Sequence, residues 1–215
     1  MKKASRLLLA TAASAALGLT ALHTHATPVS VSSFSFAPGS GYGVDANEGS
    51  GTLLDVLFSS GFSAQSFTLG TVGESQTFDL GSVAFREPNS HSGIRASETD
   101  DLDVTASLTI TDPFAALIQM LVTGSATTGS VSDAAIDFTI DWNPAQIAFG
   151  AGGLLEIALN DLSFTGLQTL TQTATITLLR TSEVARVEQV PEPGTLVLAG
   201  LALAGMGFVR RSRGN

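Results

Sequence analysis

Apolar and polar positions alternate through most of the middle of the chain, and a period of two marks strands with one buried and one wet face. Val29-Ser-Val-Ser-Ser-Phe-Ser-Phe36 alternates up to Pro38-Gly39, a turn signal. Strands are predicted at 53–58, 62–69 and 77–86, with breaks at Gly61, Gly70 and Gly73. Another is predicted at 104–111, ending at Asp112-Pro113. The apolar segment 117–124 reads as a buried strand. Segment 135–142 alternates most cleanly, with Ile136, Phe138, Ile140 and Trp142 on one face and Asp137, Thr139 and Asp141 on the other. Segments 146–149, 154–162 and 169–180 bring the total to about ten strands.

Short, evenly spaced strands without an amphipathic helix predict an all-β fold, an antiparallel β-sandwich or jelly roll. Phe34, Phe36, Phe58, Phe67, Phe78, Phe85, Phe138, Phe149 and Phe164 fall at predicted core positions. The glycine-rich stretch from Gly39 to Gly51 reads as a surface loop, and 181–190 as a polar linker.

Composition sharpens this picture. Charged residues are 13% of the chain, against a typical quarter, and the favoured types are those of strands and turns. Between Thr27 and Val190 four arginines face eighteen carboxylates, a net −14. A field of that sign repels phosphate, so nucleic acid is excluded as a partner. There is no cysteine, so core burial alone must hold the fold, and thiolate zinc sites are excluded.

The two ends have a different character. Lys2, Lys3 and Arg6 precede an apolar run from Leu7 to Leu22, and small residues follow at Thr24 and Ala26. This is the three-part pattern of a secretory signal peptide, with signal peptidase expected to cut between Ala26 and Thr27. At the other end Pro191-Glu192-Pro193 precedes an apolar run from Thr195 to Val209, then Arg210, Arg211 and Arg213. The two prolines enforce an extended stretch. The run of about 15 residues would span roughly 22 Å as a helix, short for a bilayer core unless the arginines snorkel. These arginines should stay cytoplasmic, which places the rest of the chain on the export side.

This ending resembles the PEP-CTERM sorting signal. The resemblance implies recognition by exosortase, a membrane-embedded cysteine transpeptidase or protease, in a Gram-negative host that makes exopolysaccharide, often in biofilm. It also implies a transient stay in the inner membrane through the C-terminal transmembrane helix before the protein reaches the cell surface. The expected organisation is a signal peptide at 1–26, a β-sandwich ectodomain at 27–180, a linker at 181–190 and the sorting signal at 191–215.

Catalytic signatures are sparse. After signal cleavage His91 is the one histidine left for a Ser-His-Asp triad, and no Gly-x-Ser-x-Gly elbow accompanies any serine. A two-carboxylate glycoside hydrolase would need a groove lined with aromatic rings, and the chain offers a single Trp142 and a single Tyr42. Either ring is a core residue or a platform for sugar stacking. Glu98, Asp100, Asp101 and Asp103 form the densest acidic run. Ca²⁺ would relieve their mutual repulsion; a solvated loop leading into the next strand is the alternative. Asp133, Asp137 and Asp141 would share a wet strand face that discourages edge pairing.

The leading expectation is therefore a non-enzymatic structural or adhesion protein of the cell surface or extracellular matrix, with no cofactor. A carbohydrate- or Ca²⁺-binding lectin-like module is the alternative, ahead of a two-acid hydrolase.

Overall fold

β-Branched and aromatic residues alternating with Ser and Thr favour a pleated, half-wet surface over a helix, and the described residues follow that preference almost throughout. A computed structural model describes residues 26–45, 51–88, 93–131 and 134–183. The expected signal peptide before Ala26, His91, Asp133, the linker from 184 and everything from Pro191 onward lie outside the described residues. The strands are β1 (Thr27–Pro38), β2 (Tyr42–Gly43), β3 (Leu54–Ser60), β4 (Gln65–Leu69) and β5 (Ser75–Phe85). β6 (Asp103–Asp112), β7 (Ala116–Thr123), β8 (Ser125–Ala126) and β9 (Phe138–Ile140) follow. β10 (Ala145–Phe149), β11 (Gly153–Leu159), β12 (Leu162–Phe164) and β13 (Gln168–Arg180) complete them. Among the described residues a 3-10 turn, Ala96–Glu98, interrupts the pattern. Among the described residues no helix is long and apolar enough to cross a membrane.

The strands form a four-stranded sheet in the order β4-β1-β6-β7, a six-stranded sheet in the order β10-β11-β13-β5-β3-β2, and a small sheet β12-β9-β8. The pairings are antiparallel except β2 with β3, which run parallel. Side chains from all three sheets join one hydrophobic cluster. Val31 of β1 and Leu108 of β6 come from the first sheet, Leu155 of β11 and Ile176 of β13 from the second, and Phe138 and Phe164 from the third. Phe34, Phe78, Phe85, Phe138, Phe149 and Phe164 are buried, and Phe36, Phe58 and Phe67 pack against the cluster partly exposed.

Glycine is required at several positions, two of which shape the six-stranded sheet. The β10–β11 hairpin closes through Gly150 and Gly152 at φ 50° and 82°, a conformation other residues adopt only with strain. At Gly81 a Cβ would sit 2.0 Å from the Ser59 carbonyl oxygen, so β3 can lie against β5 there only because the side chain is missing. The register of β13 against β5 slips at the same level, between Gln172 and Thr173.

Four expectations need correction. Segment 117–124 is not a buried strand: β7 lies at the end of its sheet order, and Leu117 and Leu121 are 60% and 65% exposed. Only Met120 of its eight residues is buried, because an edge strand covers the core with one face. Segment 135–142 is strand only at Phe138–Ile140. Phe138, Ile140 and Trp142 point inward as the alternation requires, but Ile136 is exposed and Asp137 is buried. Backbone bonds reverse the pattern there: the Asp137 N–H donates to the Phe164 carbonyl at 2.8 Å, and the Asp137 carbonyl accepts from Thr127 at 2.8 Å.

Segment 154–162 breaks at Asn160-Asp161 into β11 and β12, which belong to different sheets. The Asn160 Oδ1 accepts the Thr173 N–H at 2.6 Å, and the Asp161 Oδ1 accepts the Trp142 N–H at 2.7 Å. Side-chain acceptors of this kind compete with the strand ladder and end it. Finally, the expected loop after Gly39 is partly structured, since Tyr42 is buried and pairs with Leu54 through β2.

Candidate functional site

Tyr42 enters the core because its ring fits among phenylalanines and its hydroxyl finds an acceptor. The ring meets Phe58 edge-on at 5.1 Å and Phe138 at 6.0 Å, and the hydroxyl donates to the Leu102 carbonyl at 2.8 Å. Burial pushes the phenol above its ordinary pKa of 10.0, and the Asp103 carboxylate pushes the same way. The Gly124 backbone N–H beside the oxygen opposes both. A raised folded pKa means that the native state holds this proton more tightly than the unfolded chain does. Its contribution is then complete below about pH 10 and is lost as pH rises towards the folded value. Tyr42→Phe should lose about 1 kcal/mol at neutral pH with the hydrogen bond. It should also remove this part of the alkaline fall in stability, which urea unfolding at a series of pH values would measure.

Trp142 is buried as well. Its indole N–H donates to the Gln172 Oε1 at 3.0 Å, and the Gln172 Nε2 donates to the Asn160 carbonyl and Oδ1, both at 2.8 Å. Gln172 can lie wholly inside the core because all its polar atoms are bonded there. With Trp142 6% and Tyr42 8% exposed, neither ring offers a face to a sugar. The sugar-stacking alternative for these two residues is overturned.

The acidic run is dispersed by the fold. Glu98 is buried, and its Oε2 accepts the Arg95 N–H at 2.6 Å, reaching back across the 3-10 turn. The Asp103 Oδ1 accepts from the Thr123 hydroxyl across the β6–β7 pair. Asp100 and Asp101 stay exposed. The backbone carbonyls of Asp101 and Asp103 are taken by the N–H groups of Gly41 and Gly39, at 3.2 and 2.6 Å. Among the described residues no three His, Cys, Asp or Glu side chains gather as they would around a metal ion.

A different acidic group is brought together that the sequence does not advertise. The Asp45 Oδ2 accepts the N–H of Thr52 at 2.9 Å, the Asp55 Oδ1 accepts that of Asp45 at 3.2 Å, and the Glu87 Oε2 accepts that of Asp55 at 3.1 Å. Asp55 and Glu87 are buried. These three residues sit far apart in the chain, and only the parallel β2–β3 pair next to the end of β5 makes them neighbours. Their carboxylates brace backbone N–H groups where the chain enters β3. An open cleft of about 590 Å³ beside the β10–β11 turn is lined by Val72, Gly152, Arg180 and Glu183. It presents one guanidinium and one carboxylate.

Comparison with known proteins adds one finding. The family model described as the PEP-CTERM protein-sorting motif matches residues 189–213. No curated protein and no solved structure matches the chain. The matched span contains Pro191, Glu192 and Pro193, the apolar run from Thr195 to Val209, and Arg210, Arg211 and Arg213. The motif implies exosortase-type sorting, export, and a surface or extracellular location. The chain carries a PEP-CTERM protein-sorting motif ahead of which lies an all-β, mainly antiparallel fold.

Proposed function

We propose that this chain is a non-enzymatic structural or adhesion component of the cell surface, associated with exopolysaccharide in a biofilm matrix. Signal peptidase cuts it between Ala26 and Thr27. The apolar run at 195–209 then holds it in the inner membrane until exosortase acts at Pro191-Glu192-Pro193. The strand region stands outside as an antiparallel sandwich carrying neither cofactor nor active site. The observation that carries this reading is the sorting motif at 189–213. Supporting it, the two rings that could stack on a sugar are buried, and the conspicuous acidic run is dispersed.

Fractionation of host cultures tests the proposal. Mass spectrometry of the extracellular polysaccharide fraction should find the chain beginning at Thr27 and lacking the basic end. Incubating that polysaccharide with added protein should leave its length unchanged. A chain confined to the inner membrane, or a polysaccharide shortened by the protein, would overturn this reading.

A further inference from the structure

Among the described residues, the outer edge of β7 pairs with no strand. Such an edge presents a row of backbone N–H and C=O groups that another strand can complete, and proteins usually blunt it. The other edges among the described residues are blunted by brevity: β4 and β10 have five residues each, β12 three, and β2 and β8 two. β7 has eight, Ala-Leu-Ile-Gln-Met-Leu-Val-Thr, with no charge, proline or glycine. It also carries two of the large apolar side chains left exposed, Leu117 and Leu121.

We propose that β7 pairs antiparallel with β7 of a second copy of this chain, about a twofold axis at Gln119, joining two four-stranded sheets into one of eight strands. Residues directly opposite in an antiparallel pair share a face. With the axis at Gln119, Leu117 stands opposite Leu121 of the second copy, Ile118 opposite Met120, and Gln119 opposite Gln119. The Leu-Ile-Gln-Met-Leu segment therefore matches itself, leucine against leucine around a Gln119 pair on one face and Ile118 against Met120 on the other. This is the self-complementarity that a twofold interface requires.

Charge points to the same contact. Two copies bearing a net −14 between Thr27 and Val190 repel one another. An uncharged strand lets them meet without setting carboxylates face to face. Sugars and phosphates gain nothing particular from a row of strand-spaced backbone groups, whereas an extended peptide completes it. The inference stands on the fold alone and does not depend on the matrix role proposed above.

The absence of cysteine makes the test clean. In the full chain, Gln119→Cys would place two thiols opposite each other at Cα separations of about 4.5–5.5 Å, inside the range a disulfide spans. Mild oxidation should convert most of this variant into a dimer that reductant dissolves. Leu117→Cys alone should stay monomeric, since its counterpart lies four residues along the strand, about 14 Å away. Mixing Leu117→Cys with Leu121→Cys should restore the dimer. Adding Leu121→Lys to Gln119→Cys should abolish it, and circular dichroism should stay unchanged because the site is exposed. Raising salt should increase the dimer, because screening weakens the repulsion between acidic copies. A Gln119→Cys chain that remains monomeric, or one that crosslinks no better than Leu117→Cys, overturns the proposal.

Discussion

Replacing Pro191, Glu192 and Pro193 together with alanine is expected to leave the protein in the membrane that exports it, with its apolar run and basic end still attached. The reason lies in the residues. Each proline fixes φ and disfavours helix at the position before it, so the sequence predicts extended chain at Glu192, next to the apolar run. A membrane-embedded enzyme can reach a strand-like segment there. Alanine, the strongest helix former, would let a helix begun in the apolar run grow backwards through the site. Hydrophobicity from Leu196 to Val209 is unchanged by the substitution, so insertion should survive while release fails. Fractionated cells probed for the strand region and for the basic end would show the effect. Equal release of the variant and the wild type, with the end removed from both, would reduce the segment to an ordinary anchor.

The second large effect is expected inside the fold. Phe138 is fully buried on the short β9 strand, and its ring stacks on Phe164 at 5.4 Å and Phe85 at 6.0 Å. It also meets Tyr42 edge-on at 6.0 Å. These neighbours come from β12, β5 and β2, so one ring joins the small sheet to the six-stranded one. Phe138→Ala removes that ring and leaves a cavity that strands fixed by their ladders cannot close. The expected cost is about 4 kcal/mol, or a fall in Tm of about 10 °C for a domain of this size. Phe138→Leu keeps most of the volume and should cost about 1 kcal/mol. Thermal unfolding followed by circular dichroism checks both. If the alanine variant melts within about 2 °C of the wild type, Phe138 is not the link between these sheets.

What could be read in the residues, and what could not, follows from the range of the interaction concerned. The strands at β1, β6 and β13 were legible because a period of two is written into neighbouring residues and needs no knowledge of the rest of the chain. The sorting motif was legible for the same reason: its chemistry lies in one contiguous stretch, 189–213. The buried phenylalanines followed from the alternation.

Only the tertiary structure decided how much of each strand was covered. Segment 117–124 is as apolar as a central strand, yet β7 became an edge, because position in a sheet depends on which strands reach it and not on its own sequence. Asp137 was assigned to water by its parity and is buried, since backbone bonds to Thr127 and Phe164 set the phase there. The acidic run from Glu98 to Asp103 stood out because its members are adjacent, and the fold turned them to separate tasks. Asp45, Asp55 and Glu87 were hidden because they are distant in the chain. Alternation and linear motifs are local, and the sequence by itself determined them: an all-β chain with a sorting motif. Edge, burial and side-chain neighbourhood depend on contacts between residues tens of positions apart, and those were decided only when the sheets closed on a shared core.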